Sequence, residues 1–116
     1  MPNQLIKSAK DLDKLKKVIQ ILNFFILEDI KNFIKSNKAT DQDFVHNITS
    51  YNHRFELIDK IKDLVNLKNY QTINHTINQW KQSADSMTQA YAKFIDYYFQ
   101  AERAENHLNK KFSPQS

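Results

Sequence analysis

"KQSADS", residues 81–86, is either the middle of one long helix or the joint between two. Around it, apolar and aromatic residues recur in alternating steps of four and three. The series is Ile73, Ile77, Trp80, Ala84, Met87, Tyr91, Phe94, Tyr98, Ala101, Leu108 and Phe112, with Glu105 its one polar member. Such a heptad seam predicts a helix, and its phase passes through residues 81–86 unshifted. The Ser and Asp side chains there compete with the helical backbone for hydrogen bonds and are natural caps at Ser83 or Ser86. The unbroken phase favours one continuous helix over about 73–112.

Two further helices precede it. From about Ser8 to Ser36, Leu12, Leu15, Ile19, Leu22, Ile26 and Phe33 follow the same spacing, with Asp29 the polar exception. Asn37 is the candidate left-handed cap at its end, because the chain has no glycine. Thr40 and Asp43 have the spacing of a capping box at the start of the next helix. That helix is expected over about 41–68, with Phe44, Ile48, Tyr51, Phe55, Ile58, Ile61 and Val65 as its seam and Asn69 as its terminal cap. The expected fold is therefore all-α: an antiparallel bundle of three long helices, the third longest, or a four-helix bundle if the chain breaks near Ser83. Residues 8–112 form the single domain, residues 1–7 a flexible N-terminus and residues 113–116 a disordered tail.

Composition removes whole classes of chemistry. With no glycine, phosphate-binding loops, dinucleotide fingerprints and nucleophile elbows have no standard form here. With no cysteine, neither disulfides nor thiolate metal sites are available. His46 and His53 lie two helical turns apart, about 10 Å, too far to share one metal. Arg103-Ala-Glu-Asn-His107 has three residues between its Arg and His and sits near a helix end. The Arg–His motif of HEPN-type ribonucleases has wider spacing and opens a helix, so the motif is not met. No catalytic, cofactor-binding or metal-ligating residue is expected, and the chain reads as no enzyme.

The apolar run Val18–Leu27 is ten residues long and contains Gln20 and Asn23. A membrane span needs about 20 apolar residues, so no span is expected. No signal-peptide pattern opens the chain, which makes a cytoplasmic protein the expectation. Abundant Asn, Lys and Ile suit an AT-rich genome, which points to a bacterial or mobile-element source.

Function must then lie in surfaces. Ile21, Phe24, Leu27 and Ile34 form a second apolar stripe on the first helix, away from its seam. Tyr97 flanks the third helix's seam and Phe99 points well away from it. These six residues are the candidate protein interface of an adaptor, chaperone-like binder or inhibitor, with self-association into a dimer expected. The net charge of +4 resides on residues 1–38, where Lys7, Lys10, Lys14 and Lys17 share a helix face. That face offers the alternative of a nucleic-acid accessory protein, meeting phosphates or an acidic partner.

Overall fold

The computed structural model describes residues 4–36 and 40–112, without the side chains of residues 41, 104 and 106–112. Four helices follow in order: α1 Ala9–Ser36, α2 Asp41–Leu67, α3 Tyr70–Lys81 and α4 Ser86–Phe112. No strand occurs among the described residues. The fold is an all-α bundle of two helical hairpins, α1 packed chiefly on α2 and α3 on α4. It is elongated: its radius of gyration is 17.1 Å, against about 13 Å for a compact chain of this length.

The four-helix alternative is the one realised, and Asp85 is the reason. Its Oδ2 accepts from the Thr88 backbone N–H at 2.9 Å and from the Thr88 hydroxyl at 2.6 Å. The first helical bond of α4 runs from Gln89 N to Asp85 O at 3.0 Å. Asp85 is thus the N-cap, between the two serines expected to serve. Ser83 accepts from Asp85 N at 3.1 Å, and Gln89 reaches back to donate to Lys81 O at 3.0 Å. The chain turns instead of continuing, because these local bonds replace the helical ones the segment would otherwise make.

The turn also resets the seam. Ala84 and Ala101 are exposed, while Thr88, Ala92, Ile95 and Phe99 join Tyr91 in burial. Met87, Phe94 and Tyr98 only flank the core. One helix facing a single partner would bury one heptad stripe; α4 faces both α3 and α1, and its buried side turns accordingly.

The other ends are capped differently from expectation in one case. Thr40 and Asp43 form the expected capping box, with bonds of 3.1 and 3.3 Å. At the end of α2, however, Lys68 takes the left-handed conformation, with φ of 57°. Asn69 instead caps the start of α3, accepting from Thr72 N at 3.1 Å. A two-residue joint leaves one position to end α2 and one to begin α3, and only the second can use an amide oxygen. Asn37 and residues 113–116 lie outside the described residues.

Residues 4–7 are also not the loose segment the sequence suggests. Leu5 and Ile6 are buried. Ile6 N donates to Asn74 Oδ1 and Asn74 Nδ2 donates to Ile6 O, both at 2.9 Å. Two apolar residues ahead of α1 find a place against the bundle because α3, a short separate helix, offers an amide to hold them.

Candidate protein-docking surface on the first hairpin

Three pairings set the levels of the helices. Arg54 on α2 contacts Asp29 on α1 at 2.7 Å, His53 on α2 contacts Asp85 at 2.6 Å, and Phe25 on α1 meets Phe94 on α4 at 5.9 Å, edge to face. Lys14 on α1 pairs with Glu102 on α4 at 3.5 Å, so α4 runs antiparallel to α1. Since α4 begins level with His53, the tip of the first hairpin rises past it. That tip comprises Ile30–Ser36 of α1 and the first ten residues of α2, which span about 15 Å.

The tip is closed on itself by a single seam. Phe33 and Phe44 are the rings that meet there, 6.3 Å apart. Polar side chains on α2 bond to their own helix: Asn47 donates to Asp43 O at 2.7 Å and Thr49 to Val45 O at 2.9 Å. With no third or fourth helix beside it, the tip leaves much of its apolar surface wet.

Nine large hydrophobic side chains are exposed among the described residues, and seven of them fall between Phe24 and Ile48. Ile34 is 68% exposed and Val45 64%. Of the six expected interface residues, Phe24, Leu27, Ile34 and Tyr97 are exposed and Ile21 is half-buried. Phe99 is the correction: it is 1% exposed and a central member of the core. Its displacement follows from the reset of α4, which turns Phe99 inward and leaves Tyr97 outward. Phe44 and Ile48, expected in the α2 seam, are exposed as well: Phe44 meets the Phe33 ring, but neither α3 nor α4 reaches this level to cover them. Val45, Phe25 and, at the far end of α2, Leu67 complete the exposed set and carry no sequence signal beyond being apolar off the seam.

Comparison with protein-family models, curated proteins and solved structures gives no match.

Four of the exposed apolar residues, Leu27, Ile34, Phe44 and Ile48, share a face, whereas Phe25 turns toward Phe94 of α4. A groove of about 310 Å³ between α1 and α2 is lined by Lys16, Gln20 and Asn23 on one side and Ile58, Lys62 and Asn66 on the other, with Ile19 and Val65. Steps of three, four and seven carry the α1 side on to Leu27 and Ile34. The same steps carry the α2 side back to Phe55, Ile48 and Phe44. Residues so spaced lie along one side of a helix. The outer face of the hairpin is therefore polar at its base and apolar at its tip.

The basic face is less free than its spacing suggests. Lys7, Lys10 and Lys17 are exposed, but Lys14 is largely covered and held by Glu102. Lys17 lines a shallow hollow with Glu102 and Glu105. Two carboxylates therefore stand among the four lysines.

Titratable groups cluster where the tip begins. His53 Nε2 lies 2.6 Å from Asp85 Oδ2, which Thr88 also holds, and these bonds, Thr88 first, lower the Asp85 pKa to about 2. Tyr51 donates to Asp29 O at 3.4 Å, and the Arg54 guanidinium stands over the Tyr51 ring at 5.9 Å. Burial pushes the neighbouring Tyr91 phenol upward. Each of these groups is engaged by another element of the fold: the set ties α1, α2 and α4 together. Among the described residues no three metal-ligating side chains converge, and no helix is long and apolar enough to cross a membrane.

Proposed function

We propose that this chain is a small non-enzymatic helical module that works by binding protein through the apolar outer face of the α1–α2 hairpin. The observation that supports the reading is the concentration of exposed large hydrophobics, seven of nine among the described residues, on Phe24–Ile48 of the hairpin, four of which (Ile34, Phe44, Val45 and Ile48) lie where it outruns α3 and α4. Single exposed apolar residues are ordinary on any surface; a run of them on one unpartnered face is what interfaces use. A groove between two antiparallel helices accepts a further helix that offers apolar residues at steps of three and four.

The test is uptake of a hydrophobic fluorescent dye by the dissociated chain, together with its loss on substitution. Ile34→Glu and Val45→Glu should each abolish most of the signal while Tyr97→Glu leaves it. A dissociated chain that takes up no dye, or whose uptake ignores these positions, defeats the reading. The alternative of phosphate contact through Lys7, Lys10, Lys14 and Lys17 is weakened by Glu102 and Glu105. It requires salt-sensitive binding of RNA or DNA, lost in Lys7→Glu/Lys10→Glu.

A further inference from the structure

We infer that the outer face of the α1–α2 hairpin is a two-fold interface between two copies of this chain. The inference rests on the docking reading above and names the occupant of that face. It is carried by register and by charge.

Register comes from the Asp29–Arg54 contact, which sets which residues of the two antiparallel helices stand level. Counting along both helices from that pair, Leu27 is level with Phe55 to within a residue, and Ile34 with Ile48. A two-fold axis running along the hairpin lays α1 of one copy over α2 of the other without changing levels. Leu27 then meets Phe55 of the second copy, and Ile34 meets its Ile48. Two apolar pairs therefore stand in the upper half of the face.

Charge selects the same arrangement. On the outward side of α2, Glu56, Asp59 and Asp63 follow steps of three and four, and all are exposed. On α1 the corresponding side carries Lys16 and Lys31, also exposed, each beside an acid of its own helix: Asp13 at 4.0 Å from Lys16 and Glu28 at 3.4 Å from Lys31. In the Lys16–Asp13 pair both side chains are more than half exposed. Laying α1 over the other copy's α2 sets Lys16 about 6 Å along the axis from Asp63, and Asn23 level with Asp59 to within a residue. Lys62, in the groove, stands level with the amide of Gln20. The other two-fold, across the hairpin, would lay α1 on α1 and α2 on α2, and would bring no lysine of α1 to the acids of α2.

The extent of the surface suits such a pairing. Leu27, Ile34, Phe44, Val45 and Ile48 are between 39% and 68% exposed. Together they present on the order of 500 Å² of apolar surface, at the upper end for a monomer. With the polar base of the groove added, this approaches the roughly 800 Å² per partner of a standard interface.

Sedimentation equilibrium of the full chain tests the inference, with circular dichroism as the check on folding. The unaltered chain should sediment as a dimer, and Tyr97→Glu likewise. Ile48→Glu and Val45→Glu alter exposed residues, so both should fold; Ile48→Glu should weaken the dimer by about 30-fold or more. Lys16→Glu should weaken it several-fold, and Lys16→Glu/Asp63→Lys should restore it. A dimer that ignores Ile48→Glu overturns the interface, and a double exchange that restores nothing overturns its register. If the unaltered chain is a monomer whose dye uptake Ile48→Glu abolishes, self-pairing falls and the docking reading stands. A monomer that takes up no dye ends both.

Discussion

Asn74, on α3, holds Ile6 by both of its backbone groups, accepting from its N–H and donating to its carbonyl, each at 2.9 Å. The carboxamide does for residue 6 what a neighbouring strand would do. It allows an extended segment to lie buried beside helices whose own backbone groups are already spent.

Asn74→Ala should therefore cost about 2–4 kcal/mol, more than the loss of one ordinary hydrogen bond, because both Ile6 groups are left buried and unpaired. Ile6→Ala should cost about 2–5 kcal/mol through its cavity. Gln71→Ala, on the exposed side of the same helix, should fall within about 0.5 kcal/mol of the unaltered chain. Urea unfolding monitored by circular dichroism checks all three. An Asn74→Ala midpoint equal to that of Gln71→Ala would show that the segment is not held this way.

The joint between α3 and α4 should show itself at acid pH. The Asp85 carboxyl is lowered from 3.8 to about 2 in the folded chain, first by the Thr88 hydroxyl and then by His53. A folded pKa below the unfolded one means that the unfolded chain binds the proton more readily. The stabilisation is complete above the unfolded value and is lost as pH falls through about 4 toward 2. Asp85→Asn should lower stability at neutral pH and flatten this part of the acid limb. Urea midpoints taken at intervals from neutral to strongly acid pH measure it; parallel curves for Asp85→Asn and the unaltered chain would contradict the assignment.

Two aromatic residues two positions apart on α4 should behave oppositely. Phe99 is 1% exposed and Tyr97 is 67% exposed. Phe99→Ala removes a ring from the centre of the bundle and should cost about 3–5 kcal/mol. Tyr97→Ala should change stability by less than about 0.5 kcal/mol. Thermal or urea unfolding separates them, and comparable losses at both positions would mean that α4 is turned otherwise about its axis.

That contrast marks how far the sequence could be read. The helices, the capping box at Thr40 and Asp43, and the seam of α1 follow from local bonding and spacing, which neighbours along the chain decide. The phase of α4 does not. Heptad spacing through residues 81–86 is equally compatible with one helix and with two, and the choice rests on Asp85 finding both Thr88 and, from a distant helix, His53. Once the chain turns there, Phe99 swings inward, and an expected interface residue becomes core. Burial of Leu5 and Ile6 was illegible for a similar reason: Asn74, the residue that holds them, is 68 positions away from Ile6. The candidate surface was half legible. Leu27 and Ile34 show as apolar residues off a seam, but Phe44 and Ile48 lie on one. Their exposure depends on where α4 begins, which no local pattern reports.

The height of the hairpin above α4 has a dynamic consequence. Among the described residues, those of α2 beyond Tyr51, toward its start, have only α1 beside them, whereas Arg54–Val65 lie within the four-helix part. Opening the tip exposes little beyond the Phe33–Phe44 seam, so it should require far less free energy than global unfolding. In Ile48→Glu, where pairing between copies is blocked, backbone amides after the first turn of α2, from Val45 to Ser50, should exchange with solvent at least about tenfold faster than those of Arg54–Val65. In the unaltered chain the same amides should become more protected as concentration rises, because a second copy then covers them. Hydrogen–deuterium exchange resolved by peptide measures both effects. Uniform protection along α2 in the variant would mean that a two-helix tip is as stable as the bundle below it. Protection independent of concentration would leave the tip without a second copy to cover it.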